Sequence, residues 1–352
     1  MGIFEGLLKE GESLFIDEVA LDFDYVPKIM KYRENEQQEV AKCIAPLMQG
    51  RQGRNLFITG SPGIGKTAAI KKVIEELKEE TNDIIPIYIN CWKRDSAYKI
   101  ILDICEQLNY KWVHNKRTDE LLKEAINLLN KKSVVFILDE IDKLNEKEIL
   151  YNLLEEVYKK TIVFITNNKN FLETLDPRIK SRLTPETLIF RPYNYEETKG
   201  ILKQRIDFAF VKGVWNESTI NIITDLTFKL ADIRTGLYLM KEAGRLAEEK
   251  SSKVITEEIA KKTIDKLKDF KIMDSEDLDY DMKKILDLVK KSSGLNVKQL
   301  YDNYVEENGK SSYRTFHRRI EKLIDDRLIE VEDVKGPGGS AIIKYKRLSE
   351  YG

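Results

Sequence analysis

The sequence predicts an α/β fold, a parallel sheet wrapped by crossover helices, with an all-helical stretch and a small helix-and-hairpin module behind it. Gly60-Ser61-Pro62-Gly63-Ile64-Gly65-Lys66-Thr67 joins the short apolar run Asn55 to Thr59 to a helix-favouring segment that begins Thr67-Ala68-Ala69-Ile70. Strand, glycine-rich turn and helix is the setting a phosphate-binding loop requires. Val134-Val135-Phe136-Ile137-Leu138 is apolar without alternation, so both faces of that strand are covered, as in a parallel sheet between helix layers. Beyond Pro192 only helical spacing remains until near the carboxyl end.

Taken in order, Ile85 to Asn90 and Ile162 to Thr166 add two more buried strands to Asn55–Thr59 and Val134–Leu138, each separated by enough chain for a crossover helix. The segments Tyr195 to Phe210, Ser218 to Leu230, Thr235 to Lys250 and Thr256 to Lys268 carry apolar residues three and four apart and read as a small helical domain. The charged stretch Lys271 to Asp281 reads as a linker. Asp281 to Lys291, Val297 to Glu306 and Ser312 to about Asp326 are three further helices. A hairpin follows, Ile329 to Val334 and Ala341 to Lys346 around Gly336-Pro337-Gly338-Gly339, which makes a winged helix-turn-helix.

The loop glycines let several backbone N–H groups converge on one anion, and the following helix adds its positive end. Ser61, Pro62, Gly63, Ile64, Gly65, Lys66, Thr67 and Ala68 are therefore expected around the phosphates of ATP or ADP, with Lys66 reaching the β- and γ-phosphates. Thr67 is expected to offer its hydroxyl to Mg²⁺. Asp139, at the carboxyl end of its strand, is the partner carboxylate for that ion, and Glu140 beside it is placed to polarise an attacking water. A solvated helix start would also favour two adjacent acids.

Composition limits the alternatives. A chain of 352 residues is long enough for two or three domains, and 34% charged against 42% hydrophobic residues describes a soluble globular protein. No apolar run approaches the ~20 residues of a membrane span and no basic-then-apolar leader is visible, so a cytoplasmic protein without a membrane partner is expected. Cys43, Cys91 and Cys105 show no C-x-x-C spacing, which argues against a disulfide framework or a zinc site. With His114 and His317 the only histidines, a histidine-based metal or acid–base centre is not expected either. The net charge of -1 gives no whole-chain footprint for nucleic acid, so local distribution must carry any such reading.

In the third carboxy-terminal helix Tyr313, Phe316, Ile320, Leu323 and Ile324 share one face, leaving Arg314, Thr315, His317, Arg318, Arg319 and Lys322 toward solvent. Such a helix suits a major groove, where arginine pairs bidentately with guanine and other cations hold phosphates. An ordinary amphipathic helix with a basic face is the alternative, given Glu321, Asp325 and Asp326.

The stretch Tyr25 to Gln37, together with Asn90-Cys91, Leu138-Asp139-Glu140-Ile141-Asp142, Ile165-Thr166-Asn167, Leu175 to Leu183, Asp232-Ile233-Arg234-Thr235-Gly236-Leu237 and Tyr313-Arg314-Thr315-Phe316, resembles archaeal replication initiators of the origin-recognition and cell-division-cycle type. These are AAA+ ATPases. The resemblance implies an amino-terminal segment over 1–18, an AAA+ base over 19–192, a helical lid over 193–272 and a winged-helix DNA-binding domain over 273–352. It implies that Tyr25, Val26, Pro27 and Arg33 belong to the nucleotide site. Asn167 matches the first sensor residue and Arg234 the second, touching the γ-phosphate from the lid. Arg182, or else Arg178, matches the arginine finger donated to a neighbouring subunit.

The resemblance further implies origin double-stranded DNA, the replicative helicase and other initiator subunits as partners, with slow ATP hydrolysis. An insertion that touches DNA should lie within Trp92 to Asn115, with Lys93, Arg94, Lys99, Lys111 and Lys116 available, although Tyr98 to Ile104 reads equally as a helix packed on the sheet. Lys335 and Gly338 mark the wing, whose tip is glycine-rich where the family's is basic; Lys344, Lys346 and Arg347 are possible replacements. A clamp-loader-like ATPase and a DNA-binding regulator that keeps nucleotide as a structural ligand are the alternative readings.

Overall fold

The computed structural model describes residues 13–276, 280–292, 294–307, 309, 311–325, 329–333 and 341–345. The chain divides into two compact units, Met1–Ala260 and Lys261–Gly352. In the first, α1 (Glu34–Met48) precedes β1 (Leu56–Thr59), and α2 (Lys66–Glu80) leaves the glycine turn directly. Next come β2 (Ile84–Asn90), α3 (Ala97–Gln107), α4 (Thr118–Leu129) and β3 (Ser133–Asp139). The α/β part closes with α5 (Glu148–Glu156), β4 (Lys160–Thr166), α6 (Pro177–Leu183) and β5 (Glu186–Ile189).

The strands lie in the order β2-β3-β4-β1-β5, and every pair is parallel, the one feature of this sheet's pairing that the sequence predicted. All residues of β1, β3 and β4 are buried, which is the physical content of their unbroken apolar runs. Alternation decides which layer each meets: Phe136 and Leu138 pack with Ile100, Ile104 and Leu121, while Val135 and Ile137 pack with Ile44, Ile70 and Val73. Parallel pairing puts the carboxyl ends of β1, β3 and β4 on one rim, where ligands of such sheets bind. The edge strand β5 has no continuous apolar signal because Glu186, Thr187 and Ile189 are exposed, and the sequence reading did not single it out.

The helical part comprises α7 (Tyr195–Ala209), α8 (Glu217–Leu230) and α9 (Ile233–Glu249), begun by the capping side chains of Asn194, Asn216 and Asp232. Residues ahead of α1 run along it. Ile16 N–H donates to Ala209 O at 2.8 Å, and the Phe15 ring lies tilted against Phe210 with centroids 4.7 Å apart. Gly244 makes room for that ring, since a Cβ there would come within 2.3 Å of Phe15 Cζ.

α10 (Glu257–Glu276) runs through the stretch read as the start of a linker. Charge does not break a helix; glycine and proline do, and Lys271–Glu276 has neither.

The second unit holds α11 (Tyr280–Lys291), β6 (Leu295–Asn296), α12 (Val297–Glu306), α13 (Tyr313–Asp325), β7 (Ile329–Asp333) and β8 (Ala341–Tyr345), the strands ordered β6-β8-β7 and antiparallel. Leu300, Tyr304, Phe316, Ile320 and Leu323 form its core. Tyr313, expected inside, is 45% exposed at the head of α13, edge-on to Tyr301 at 5.0 Å. Lys335, Gly338, Lys346 and Arg347 lie outside the described residues.

Candidate active site

A cavity of about 600 Å³ opens between the strand rim and the helical part. Its floor is the glycine loop. Gly63 and Gly65 adopt φ of +73° and +85°, a left-handed backbone that glycine takes without strain, and Gly65 stands immediately before α2. Pro62, Gly63, Gly65, Lys66, Thr67 and Ala68 line the cavity, whereas the Ile64 side chain is buried in the core and anchors the loop from below. Ser61 takes part through its carbonyl, which accepts from Lys66 Nζ at 2.8 Å.

Lys66 Nζ also donates to Gly60 O at 2.8 Å and to Asn167 Oδ1 at 2.7 Å. Asn167, just past β4, is thereby fixed against the loop lysine. Burial lowers the Lys66 pKa to about 8, with Asp139 acting in the opposite direction.

Asp139, at the end of β3, is 3% exposed and held at three points. Thr67 Oγ1 donates to Oδ2 at 2.7 Å, the Tyr88 hydroxyl donates to the same oxygen at 2.8 Å, and Glu140 N–H donates to Oδ1 at 3.0 Å. Tyr88, on β2, was missed by the sequence reading; its one signal is a tyrosine in a half-buried strand, where the hydroxyl needs a partner. Burial and the Asp139 carboxylate push the Tyr88 phenol well above its ordinary range, so it stays a donor. Glu140 takes a left-handed φ of 53° that turns it out of the strand, and its carboxyl is raised by burial and then by Asp139 and Asp142.

Among the described residues no group of three or more His, Cys, Asp or Glu could hold a metal by itself. A hydroxyl and one carboxylate are the hard oxygen donors that suit Mg²⁺ arriving with phosphates and water, so Thr67 and Asp139 fit that ion.

At the other end Tyr25, Val26 and Pro27 line the cavity with Met30, Ile201 and Leu237, an apolar wall. Arg205 of α7 secures this wall by donating to Ala20 O at 3.2 Å and Tyr25 O at 3.1 Å, its guanidinium over the Tyr25 ring. Arg33, expected among the nucleotide contacts, is fully buried and does not line the cavity. It donates to Ile64 O at 2.9 Å, to Arg191 O at 2.7 Å and to Glu36 at 2.6 Å, with its guanidinium 4.0 Å from the Tyr193 ring centre. Its place is behind the loop, bracing it.

Arg234 lines the cavity from the first turn of α9. Asp232 accepts from its Nε at 3.1 Å and its NH2 nitrogen at 2.9 Å. Asp232 also lies against Gly63, where a Cβ would fall 1.9 Å from Oδ1. Arg182 and Arg178 lie outside this cavity on α6. Arg182 pairs with Glu155 at 2.5 Å and covers the Tyr151 ring, while Arg178 is paired by Asp176 at 3.1 Å.

The stretch 92–115 contains α3 packed on the sheet through Ile100, Ile101 and Ile104. Within and beside it Arg94 pairs with Asp103, Lys99 with Asp95 and Lys116 with Glu124; Lys93 faces the cavity and Lys111 is exposed. On α13, Arg314, Arg318 and Lys322 are exposed, and Thr315 shares a hydrogen bond with Ser312 at 3.0 Å. Arg319 is turned inward, donating to Asp281 Oδ2 at 2.7 Å and to Ser311 Oγ.

Residues 49–175 match the AAA domain family and residues 199–265 the Cdc6 AAA+ ATPase-type lid domain. The chain is 30% identical, over 97% of its length and 94% of the relative's, to the ORC1-type DNA replication protein 2 of Methanothermobacter thermautotrophicus. The chain belongs to the ORC1-type family of DNA replication proteins. The ORC1-type protein 1 of Sulfurisphaera tokodaii is 37% identical over 66% of this chain and 62% of that relative. The fold matches the structure of the Aeropyrum pernix ORC1 protein in complex with DNA at a TM-score of 0.73, 23% identity, and 96% and 95% coverage of the two chains. An ORC1-type protein is an AAA+ ATPase. No helix among the described residues is long and apolar enough to cross a membrane.

Proposed function

We propose that this chain is a replication initiator that binds double-stranded origin DNA and is switched by ATP, hydrolysing it slowly and helping to recruit or load the replicative helicase. The observation that carries the switch is the convergence of Lys66, Asn167, Asp139 and the lid residue Arg234 on one cavity. The three-part division at 192 and 272 belongs to the same proposal.

Bound Mg²⁺ supplies charge neutralisation for the phosphates and a template for their geometry. Lys66 and the loop N–H groups bind the phosphate chain, and Thr67 and Asp139 hold the ion's coordination in place. Glu140 accepts the proton of the attacking water while Asn167 orients it. Arg234 senses the terminal phosphate from the lid, so that departure of that phosphate loosens the tie between the two lobes. An arginine of a neighbouring subunit, Arg182 or Arg178, completes the site; in related phosphoryl-transfer systems such a residue contributes about 10³ to 10⁵ in rate. This accounts for slow turnover by an isolated chain.

DNA binding is assigned to α13 through Arg314, Thr315, Arg318 and Lys322, with the wing beside it. That the related Aeropyrum pernix ORC1 protein is seen in complex with DNA supports DNA binding in general. The experiment is origin-DNA affinity measured with ATP and with ADP. A difference is expected. Equal affinities would leave nucleotide as a structural ligand and end the switch proposal.

A further inference from the structure

We infer that the Tyr88 hydroxyl is the positioning group that holds Asp139 in the geometry Mg²⁺ requires, and that the Mg²⁺ dependence of nucleotide binding runs through it; this rests on the nucleotide-site reading above. Tyr88 pairs in register with Ile137, and Asp139 is the next residue of β3 on the same face. The side chain therefore reaches forward along the sheet to the carboxylate, and its oxygen sits 2.8 Å from Oδ2.

Everything around Tyr88 is fixed. β2 is an edge strand, and Gln107 of α3 closes that edge at this one residue: its Oε1 accepts from Tyr88 N–H at 3.1 Å and its Nε2 donates to Tyr88 O at 2.8 Å. The Lys71 ammonium stands 5.4 Å from the ring centre. A side chain locked at its backbone, ring and tip is what precise placement of a metal-binding carboxylate needs.

The Thr67 hydroxyl meets the same carboxylate oxygen, which can only accept. Thr67 gives its proton to Oδ2, which leaves its lone pairs for a cation. With Tyr88 on the same oxygen, three donors restrain the carboxylate about its last torsion. Without Tyr88, Thr67 on Oδ2 and the Glu140 N–H on Oδ1 remain, and the terminal torsion, which is intrinsically broad, loses one of its three restraints. Outer partners of metal ligands typically contribute ten- to a hundredfold in metal affinity.

The test is Tyr88→Phe in the full chain, with ADP affinity titrated against Mg²⁺ and compared with ADP affinity in excess EDTA. We expect the EDTA value to match the wild type and the Mg²⁺ concentration for half-maximal enhancement to rise about tenfold. A merely structural tyrosine would alter stability and leave that midpoint unchanged, and an unchanged midpoint overturns the inference. A wild-type chain whose ADP affinity ignores Mg²⁺ overturns the nucleotide-site reading together with it. Should Tyr88→Phe not fold, NMR of wild-type chain carrying ζ-carbon-labelled tyrosine decides: the Tyr88 signal must shift when Mg²⁺ is added to the ADP complex, and a stationary signal overturns the inference.

Discussion

The amide of Ile233, at the head of the lid helix α9, donates to the carbonyl of Gly63 in the phosphate loop at 3.2 Å. Loop and lid are in direct contact, and the residues on either side of that amide, Asp232 and Arg234, form an ion pair beside it.

Gly63 should tolerate no side chain. Its φ is +73°, and a Cβ would collide with Asp232. Gly63→Ala is expected to weaken nucleotide binding at least tenfold by pushing the lid from the loop. Adding Asp232→Ala should recover part of the loss, because the steric conflict goes and what remains is the backbone strain and the lost α9 cap, each about 1 kcal/mol. Fluorescent-nucleotide titration of both variants checks this, and no recovery would place the defect elsewhere.

Nucleotide affinity should fall at alkaline pH. A phosphate selects the protonated form of Lys66, whose pKa in the protein is about 8, so affinity is level below that pH. Above it the ammonium must first be regained, and affinity drops by roughly tenfold per pH unit until the raised pKa of the complex is passed. Lys66→Ala should remove both the binding and the pH dependence. Titrations of ADP across this range test the sign.

Glu140→Gln should bind ATP with little change and hydrolyse it about 10² to 10⁴ more slowly, the contribution expected of a general base. Single-turnover hydrolysis measured beside binding separates the two. Normal hydrolysis would remove Glu140 from the role.

Arg33→Met is expected to lower stability by about 3–5 kcal/mol, since the Ile64 and Arg191 carbonyls and Glu36 lose a buried partner. Urea unfolding gives the value. A variant of normal stability with lost nucleotide affinity would return Arg33 to the nucleotide site.

Arg318 and Arg319 should separate in DNA binding. Arg318→Ala is expected to reduce the slope of log affinity against log salt by about 0.9 for each phosphate that the arginine neutralises. Arg319→Ala should leave the slope alone and lower the melting temperature instead, because its guanidinium is committed to Asp281.

Much of this was legible in the sequence because it resides in local patterns. Unbroken apolar runs announced the buried strands, and the glycine spacing announced the loop, Lys66 and Thr67. What was not legible depends on sequence-distant partners. Nothing adjacent to Arg33 signals that Ile64 and Arg191 close over it, so an arginine in a recognisable stretch read as a ligand. Tyr88 lies 51 residues from Asp139 and belongs to no spacing rule. Arg319 lies about 100° round the helix from Arg318, at the border of the apolar face, and Asp281 of α11 holds it inward. The end of α10 was misjudged for a simpler reason, because a run of charges resembles a linker while lacking any residue that stops a helix.

The chain passes between sheet and lid twice, once through residues 25–33 and once through 190–195, and Arg33 ties these passages together by its bond to Arg191 O at 2.7 Å. Two covalent crossings fastened side by side define an axis. Such an axis favours rotation of the lobes about that line, like a door on paired leaves, over swivelling and sliding. A cut in either passage would add degrees of freedom while leaving Lys66, Thr67 and Asp139 in place.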